Sequence, residues 1–343
     1  MNQIQKIKDL KEKDNIESLY LVKEKFVGVG KNGKLYLSVI LGDNSGSIDG
    51  RVWERVEEMA SGFNVGDIVF IKGVIQVFQE RKQLIIHRLT RVDEVEISLD
   101  EFMMKSHLNP NDMLVELIQI VKTVKNSKIQ QLILSTLEDQ EIAPKLLKSA
   151  AAKSVHHAWV GGLLEHILSM TKLVISIGDS YPFLNKDLLI FGSIFHDIGK
   201  VWELSSGRVV AYTDVGRLLG HMQLACELID KKSQRILGFP EDLRIILKHI
   251  ILSHHGKPEY GSPKRPKFLE ALVVAMVDDL DSKVSSIHKF ILNERHSVLT
   301  VAESTQSSDS TLAMHTEKNM SWSKYNELYE RYFLLEDMSE KFN

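Results

Sequence analysis

Two periods of hydrophobic residues divide the chain. The segment KLYLSVILGD places leucine or valine at every second position from Leu35 to Leu41, which is the period of a half-buried strand. From about residue 98, apolar residues recur at three- and four-residue spacing, as in NPNDMLVELIQIVKTVK and KIQQLILSTLEDQ, the period of an amphipathic helix. We therefore predict a β-rich N-terminal region followed by an all-α region.

Further short strands are predicted in SIDGRVWE, GDIVFIKGVIQVF and QLIIHRLTRV, which are separated by turn signals such as KNGK and GDNSG. Five short strands fit a small β-barrel or sandwich. The order of three strands, a short helix near WERVEEMA and two more strands resembles an OB-fold, so the fold class expected is an OB-fold β-barrel followed by a helical domain.

OB-folds of the nucleic-acid class bind single strands on aromatic side chains beside basic ones. For any one aromatic, packing in the barrel core is the more frequent role, and Tyr36 is the best exception because it lies off the leucine face. The resemblance makes these residues candidates for nucleic-acid binding: Tyr36, Arg51, Trp53, Lys72, Phe78 and Arg81, with Phe26 as a further aromatic.

The composition limits the classes of protein to which this chain could belong. The chain has 343 residues, 43% of them hydrophobic and 26% charged, which is ordinary for globular domains. There is no run apolar enough to span a bilayer and no signal-peptide core in MNQIQKIKDLKEKDN, so we expect a cytoplasmic protein without a membrane partner. The net charge of −3 alone does not indicate a nucleic-acid binder. Because Cys226 is the single cysteine, any metal must be held by histidines and carboxylates.

Histidines and aspartates interrupt apolar segments of the helical region. His196 and Asp197 follow DLLIFGSIF, where their burial is costly unless a partner such as a divalent cation binds them. Adjacent helical residues point about 100° apart, so the pair can share one ion only near a helix end, and Gly199 is the predicted cap. Asp197 has two oxygens and is the candidate bridge between two ions. Similar positions are His166, His221, His254, His255 and Asp278.

The order H…HD…H…HH…D resembles the HD-domain metal-dependent phosphohydrolases over about residues 150–290. This resemblance implies one metal held by His166, His196, Asp197 and Asp278, and a second held by Asp197, His221 and His254. His255 is a ligand or a substrate contact, and Asp279 and Asp281 rank below Asp278.

Two cations are candidates for catalytic roles beside Asp197. Lys200 would carry positive charge to the scissile phosphate, with a surface lysine as the equally weighted alternative. Arg217 lies four residues before His221, so both would project from one helix face if the segment is helical, and Arg217 would then clamp phosphate or form a plain salt bridge.

The barrel, a helical connector and the motifs HHAWVGGLLEHILSM, HDIGK, GRLLGH, ILSHHG and DDLDSK together resemble the YhaM-type bacterial 3′-to-5′ exoribonucleases over nearly the whole chain. The resemblance implies a phosphodiesterase that uses two divalent metal ions, with Mn²⁺ favoured over Mg²⁺, Co²⁺ and Fe²⁺. Its partner would be single-stranded RNA, with single-stranded DNA as a second polymer and a homo-oligomer as an open alternative.

The domains expected are an OB-fold over residues 1–95, a helical connector over 96–150 and an HD domain over 151–295. Residues 296–343 are expected to form a polar loop, STQSSDST, and a C-terminal amphipathic helix, WSKYNELYERYFLLEDM, packed on the HD domain.

Two other functions stay open. HDIGK also resembles phosphodiesterases of nucleotides or cyclic dinucleotides, but no GYP tripeptide follows ILSHHG. The third hypothesis is a nucleic-acid-binding protein without catalytic activity, and the intact set of metal ligands argues against it.

Overall fold

The computed structural model describes residues 4–78, 81–92, 98–103, 106, 108–152, 159–305 and 321–338, with only the backbone described at residue 81 and at 296–305. Five strands form a closed barrel in the order β1-β2-β3-β5-β4. The OB-fold prediction is confirmed. The strands are β1 (Asn15–Val29), β2 (Leu35–Asp43), β3 (Gly46–Val52), β4 (Ile68–Phe78) and β5 (Arg81–Arg91), with helix α1 (Val56–Ser61) between β3 and β4.

The two-residue period builds the barrel core. On β2, Leu37, Val39 and Leu41 point inward and are almost completely buried, while the residues between them are partly exposed. The antiparallel ladder between β1 and β2 pairs Phe26 with Ser38 and Gly28 with Tyr36. The alternation therefore buries one face of the strand in the barrel core and leaves the side chains of the other face accessible from outside the barrel.

The helical region packs around one core centred on two helices, α5 (Gly162–Ser180) and α6 (Lys186–Phe195), and it confirms the prediction of an all-α domain after the barrel. Asn185 begins α6 because its side chain accepts hydrogen bonds from the backbone N–H groups of Asp187 and Leu188. The helices are α2 (Pro110–Val121), α3 (Ser127–Leu137), α4 (Ile142–Leu146), α5 (Gly162–Ser180), α6 (Lys186–Phe195), α7 (Lys200–Glu203), α8 (Asp214–Ser233), α9 (Glu241–Ser253) and α10 (Leu269–Thr305).

The C-terminal region differs from its prediction. Helix α10 runs from Leu269 to Thr305 without a break at residue 295, and residues 306–311 of the predicted polar loop lie outside the described residues. The predicted final helix is wrong for residues 321–338, where isolated bridges join Trp322 to Leu334 and Asn326 to Arg331. Contacts with α10 explain this, because Phe333 packs on Phe290 and the carbonyl of Leu335 accepts from Arg295. Tertiary contact thus overrides the helical pattern.

A small apolar cluster joins the barrel to the helical domain. Leu21 and Ile68 of the barrel are buried against Phe102 of the connector and against Val209, which follows α7. Arg208 also donates a hydrogen bond to the carbonyl of Gly66. The two domains therefore meet along the loop between α7 and α8. Among the described residues, no helix is both long enough and apolar enough to span a membrane.

Candidate metal centre and nucleic-acid interface

The inner half of the site forms where α6 ends. Helix α6 finishes at Phe195, so His196 and Asp197 leave the helix and point toward one centre. The Nε2 atoms of His166 and His196 lie 3.1 Å apart. Asp278 Oδ1 lies 3.3 Å from His166 Nε2, and Asp197 Oδ2 lies 3.4 Å from His196 Nε2. Ligand atoms about 2.1 Å from one ion have similar separations.

The outer half uses the other oxygen of the same aspartate. Asp197 Oδ1 lies 3.5 Å from His221 Nε2 and 3.8 Å from His254 Nε2. The His255 ring lies 4.2 Å from that of His254 and 5.4 Å from that of His221, measured between centroids. The three histidines offer ligand nitrogens within 4.8 Å of one another. Asp197 therefore faces both groups of histidines, one with each oxygen.

Each histidine has a partner for Nδ1, which fixes its tautomer. Carbonyl and carboxylate oxygens only accept, so the Nδ1–H donates and Nε2 is the nitrogen that faces the centre. The acceptors are Asp281 for His166, the Ser193 carbonyl for His196, Glu203 for His221, the Ile251 carbonyl for His254 and the Tyr260 carbonyl for His255.

Three buried polar atoms at this centre have no hydrogen-bond partner within the described part of the chain: Asp197 Oδ1, His221 Nε2 and His254 Nε2. An unpaired buried polar atom costs about 1–3 kcal/mol. A divalent cation would satisfy all three, and their nitrogen and oxygen chemistry suits such an ion. The residues present therefore fit the metal that the sequence predicts.

Electrostatics keep the ligands in suitable charge states. Burial raises the pKa of Asp197, but Lys200, His196 and His221 outweigh burial and hold that pKa well below its usual range. Burial lowers the pKa of His254 well below its usual value, so His254 is neutral as a ligand must be. Burial likewise lowers the pKa of His166, but hydrogen bonds with Asp278 and Asp281 outweigh it and raise that pKa to about 9. A bound cation would displace this proton.

Glu203 belongs to the site although sequence reasoning missed it. Its Oε1 accepts from the backbone N–H of His221 at 3.0 Å and from His221 Nδ1 at 3.1 Å. Glu203 is buried. A buried glutamate that follows HDIGK by three residues is the signal that could have found it, because buried carboxylates are rare without a partner.

Two glycines permit this arrangement: Gly199, which does not act as predicted, and Gly220. Gly199 does not cap α6, since it has φ −62° and precedes α7. It is needed there because a Cβ would collide with the carbonyl of His221. Gly220 has φ 74° and ψ 158° inside α8, which breaks the helix just before His221.

This break removes the basis for placing Arg217 beside His221. The two residues do not share one continuous helix, so the spacing of four does not put them on one face. Arg217 is exposed, and its guanidinium lies 6.0 Å from the ring centre of Tyr212. Its catalytic role remains a prediction without that geometric support.

Lys200 lies inside the site rather than on the surface. Its Nζ is 2.5 Å from Asp197 Oδ2, and its side chain is only 12% exposed. Burial lowers the pKa of Lys200, but Asp197 outweighs burial and raises it. The side chain is therefore a charged neighbour of the carboxylate that both halves share.

The aspartates of VVAMVDDLD separate into different roles. Asp278 faces the centre, whereas Asp279 is exposed and pairs with Lys283 at 2.7 Å. Asp281 is buried, accepts from His166 Nδ1 at 2.7 Å and accepts from Ser169 Oγ. Asp281 thus orients a ligand, which the ranking from sequence did not foresee.

An aromatic cluster lies on the barrel surface. The Tyr36 ring lies 5.8 Å from the Trp53 ring and 6.4 Å from the Phe26 ring. The expectation that such aromatics fill the barrel core is wrong for Phe26, Trp53 and Phe78, which are 61%, 56% and 62% exposed. Exposed rings on this face of an OB-fold suit stacking of bases.

The basic candidates are more scattered. Arg51 lies on β3 beside β2, where it donates to Ser38 Oγ. Lys72 lies on β4 and pairs with Glu17 on β1 at 2.8 Å, so the structure does not bring it to the aromatic cluster. The side chain of Arg81 lies outside the described residues.

Comparisons with known proteins agree with this architecture. The family described as HD domain matches residues 163–283, and the family described as OB-fold nucleic acid binding domain matches residues 21–101. The chain is 34% identical over 279 residues to the 3'-5' exoribonuclease YhaM of Listeria innocua, which covers 81% of this chain and 88% of that protein.

Two further relatives carry the same name. Identity is 36% over 277 residues with the protein of Halalkalibacterium halodurans, covering 80% of this chain and 85% of that one. It is 34% over 272 residues with the protein of Bacillus velezensis, covering 79% and 86%. The chain therefore belongs to the 3'-5' exoribonuclease YhaM family, with an OB-fold followed by an HD domain.

Proposed function

We propose that this protein is a metal-dependent 3′-to-5′ exoribonuclease that hydrolyses the phosphodiester bonds of single-stranded RNA. The observation that carries the proposal is the position of Asp197, whose two oxygens each face a separate group of histidine nitrogens. Relatives named 3'-5' exoribonuclease YhaM, at about a third identity over most of the chain, support the choice of substrate and direction.

Two divalent cations are proposed, with Mn²⁺ favoured over Mg²⁺, Co²⁺ and Fe²⁺. His166, His196, Asp197 and Asp278 would hold one ion, and Asp197, His221, His254 and His255 would hold the other. When bound, such cations polarise the phosphate and lower the pKa of water, which favours hydrolysis without a covalent intermediate. Imidazole and carboxylate donors suit these ions.

The protein itself supplies orientation and charge. Nδ1 acceptors hold the histidine rings in place, so little reorganisation is needed when substrate binds. Lys200 would offset negative charge that develops on the phosphate, from its position beside Asp197. The substrate would enter beside His221 and His255, which are less buried than His166 and His196.

The barrel is proposed to hold the strand. The exposed rings of Phe26 and Trp53 and the half-buried ring of Tyr36 between them would stack bases, and Arg51 would contact phosphate. Stacking does not read the sugar, so single-stranded DNA is a second polymer for this surface. Since RNA turnover takes place in the cytoplasm, we propose that location. A homo-oligomer is compatible with this function.

The aromatic surface also weighs against the alternatives. A phosphodiesterase of nucleotides or cyclic dinucleotides has no use for a stacking surface outside its metal centre. A non-catalytic binding protein has no use for buried ligand atoms that lack partners. Turnover of small nucleotides without shortening of RNA would support the first alternative, and binding without turnover would support the second.

The test uses RNA labelled at its 5′ end, incubated with the purified protein and Mn²⁺ or with chelator. We expect a ladder that shortens from the 3′ end only with metal, and a loss of about 1,000-fold or more in Asp197→Ala because both ions lose a ligand. RNA binding by the variant should persist. Asp279→Ala is the matched control, since Asp279 is exposed and pairs with Lys283. Intact RNA with every metal, or full cleavage by Asp197→Ala, would refute the proposal.

A further inference from the structure

A cleft of about 360 Å³ lies between the barrel and the helical domain. Four cationic side chains from four separate segments line it: Lys23 on β1, Lys148 after α4, Arg208 after α7 and Lys289 on α10. Glu24 is the one carboxylate among the described lining residues. The cleft therefore concentrates positive charge where the two domains meet.

In the part of the chain that the structure describes, the lysines of this cleft form no ion pair with a carboxylate. Lys23 Nζ donates to the Gly46 carbonyl at 3.3 Å and to Ser47 Oγ at 2.8 Å. Lys289 Nζ lies 5.5 Å from the ring centre of Trp159. Within the described ranges, no carboxylate is within ion-pair distance of Lys23, Lys148 or Lys289. Like charges held in a partly buried cleft favour binding of an anion.

The pKa directions agree with this crowding. Burial lowers the pKa of Lys23, and Lys289 lowers it further although Asp43 opposes the change. Burial also lowers the pKa of Lys289. The repulsion acts between the domains, because Lys23 belongs to the barrel and Lys289 to α10.

The position of the cleft indicates which anion it binds. Lys289 lies three helical turns, roughly 16 Å, beyond Asp278 on the same helix. On the barrel side, the cleft is lined by Lys23 on β1 and Ile40 on β2, the two strands that carry Phe26 and Tyr36 of the aromatic cluster. An extended strand of a few nucleotides could reach from this cleft to the metal centre.

We infer that this cationic cleft binds phosphate groups of the single-stranded RNA between the barrel surface and the metal centre. The inference rests on the proposed function and adds a second binding segment to it. Lysine and arginine recognise phosphate through charge and hydrogen bonds, without regard to base. The cleft would therefore contribute affinity for long strands and little sequence preference.

The experiment compares wild type with Lys148→Gln/Lys289→Gln, which removes two charges and leaves polar side chains that are only one atom shorter. Binding of a labelled RNA of about 20 nucleotides is measured in chelator over a series of salt concentrations. We expect affinity to fall about tenfold and the salt slope to decrease by about 1.4, because each phosphate contact on a single strand contributes about 0.7. Lys122→Gln/Lys125→Gln, with two exposed lysines near the end of α2, is the matched control.

A cleavage assay tests whether the cleft contributes to cleavage of RNA long enough to reach it from the metal centre. With Mn²⁺, the ratio of cleavage efficiency on the long RNA to that on a dinucleotide should fall about tenfold in the cleft variant, because a dinucleotide is too short to reach the cleft. An unchanged ratio together with an unchanged salt slope would overturn the inference. Lys148→Gln alone keeps the test valid if the double variant unfolds, because Lys148 is exposed.

Other outcomes separate the inference from the proposed function. A wild-type protein that shortens RNA while the cleft variant keeps its affinity would overturn the cleft alone. A wild-type protein that neither binds nor shortens RNA would overturn the exonuclease itself. If uridine monophosphate binds wild type and not the variant while RNA affinity is unchanged, the cleft binds free nucleotides and the RNA route is refuted.

Discussion

The two halves of the metal centre share Asp197 but differ in how their ligands are held. In the inner half, His166 and His196 are completely buried and Asp278 is 14% exposed. In the outer half, His221 is 12% exposed and follows the break at Gly220, while His254 and His255 follow the end of α9. The inner ligands His166 and Asp278 thus lie within packed helices, whereas the outer ligands His221 and His255 depend on a chain break or a helix end and on local hydrogen bonds. His254 also lies past a helix end but is as fully buried as the inner histidines.

This difference indicates how the halves should behave. Close packing holds the inner ligands in place before any ion binds, so less ordering is needed on binding. The outer ligands rely on Glu203 and on the Tyr260 carbonyl for their orientation. We therefore expect tighter binding in the inner half and a more exchangeable ion in the outer half.

The largest expected effect contrasts one ligand from each half. His166→Ala should reduce RNA cleavage about 1,000-fold or more, because it opens a buried site and removes a ligand. His255→Ala should reduce it only about tenfold, because the outer half keeps Asp197, His221 and His254. Initial rates with Mn²⁺ check both. Equal losses would show that the halves do not differ in this way.

The next effect concerns the carboxylates that orient the histidines. Glu203→Gln should weaken the outer ion about 10- to 100-fold and leave the inner one largely unchanged, because the partner of His221 loses its charge. Asp281→Asn should do the reverse through His166. Calorimetric titration with Mn²⁺ measures both affinities, and Asp279→Asn serves as the control. If both variants weakened the same ion, the division of the site would be refuted.

The smallest expected effect distinguishes a loss of stability through backbone strain from a loss of metal binding. Gly220→Ala forces alanine into φ 74° and ψ 158°, a region nearly restricted to glycine, and should lower the free energy of unfolding by about 1–3 kcal/mol. Gly238→Ala also forces alanine into positive φ, 63°, and should lower it by about 1 kcal/mol. Only Gly220→Ala should also weaken the outer ion, because it moves His221. Denaturant unfolding and Mn²⁺ titration are the measurements. Loss of metal affinity in Gly238→Ala as well would assign the effect to general instability.

The sequence allowed much of this architecture to be predicted because two signals are local. Alternating apolar positions define the strands, and histidines in apolar helices reveal the ligands. Glu203 was missed because its role arises only when the chain returns to place His221 beside it. The break at Gly220 was also hidden, since DVGRLLGHMQLA has the pattern of one continuous helix.

Surface and terminal features were harder to predict for a related reason. Whether an aromatic such as Trp53 packs inside or outside the barrel depends on where β3 ends, which the residue pattern does not fix within one or two positions. The segment from Trp322 to Asp337 has helical spacing, but contacts between Phe333 and Phe290 and between Asp337 and Arg295 hold it in another conformation.

The apolar cluster at the domain boundary bears on how truncated forms would behave. Phe102 is 1% exposed, and Leu21 and Ile68 of the barrel cover it together with Val209. A helical domain produced with the connector but without its barrel would display Phe102 and Val209 to solvent and would tend to aggregate. Loss of activity in such a fragment would therefore report on solubility as much as on RNA binding, and point substitutions on the barrel surface separate the two effects.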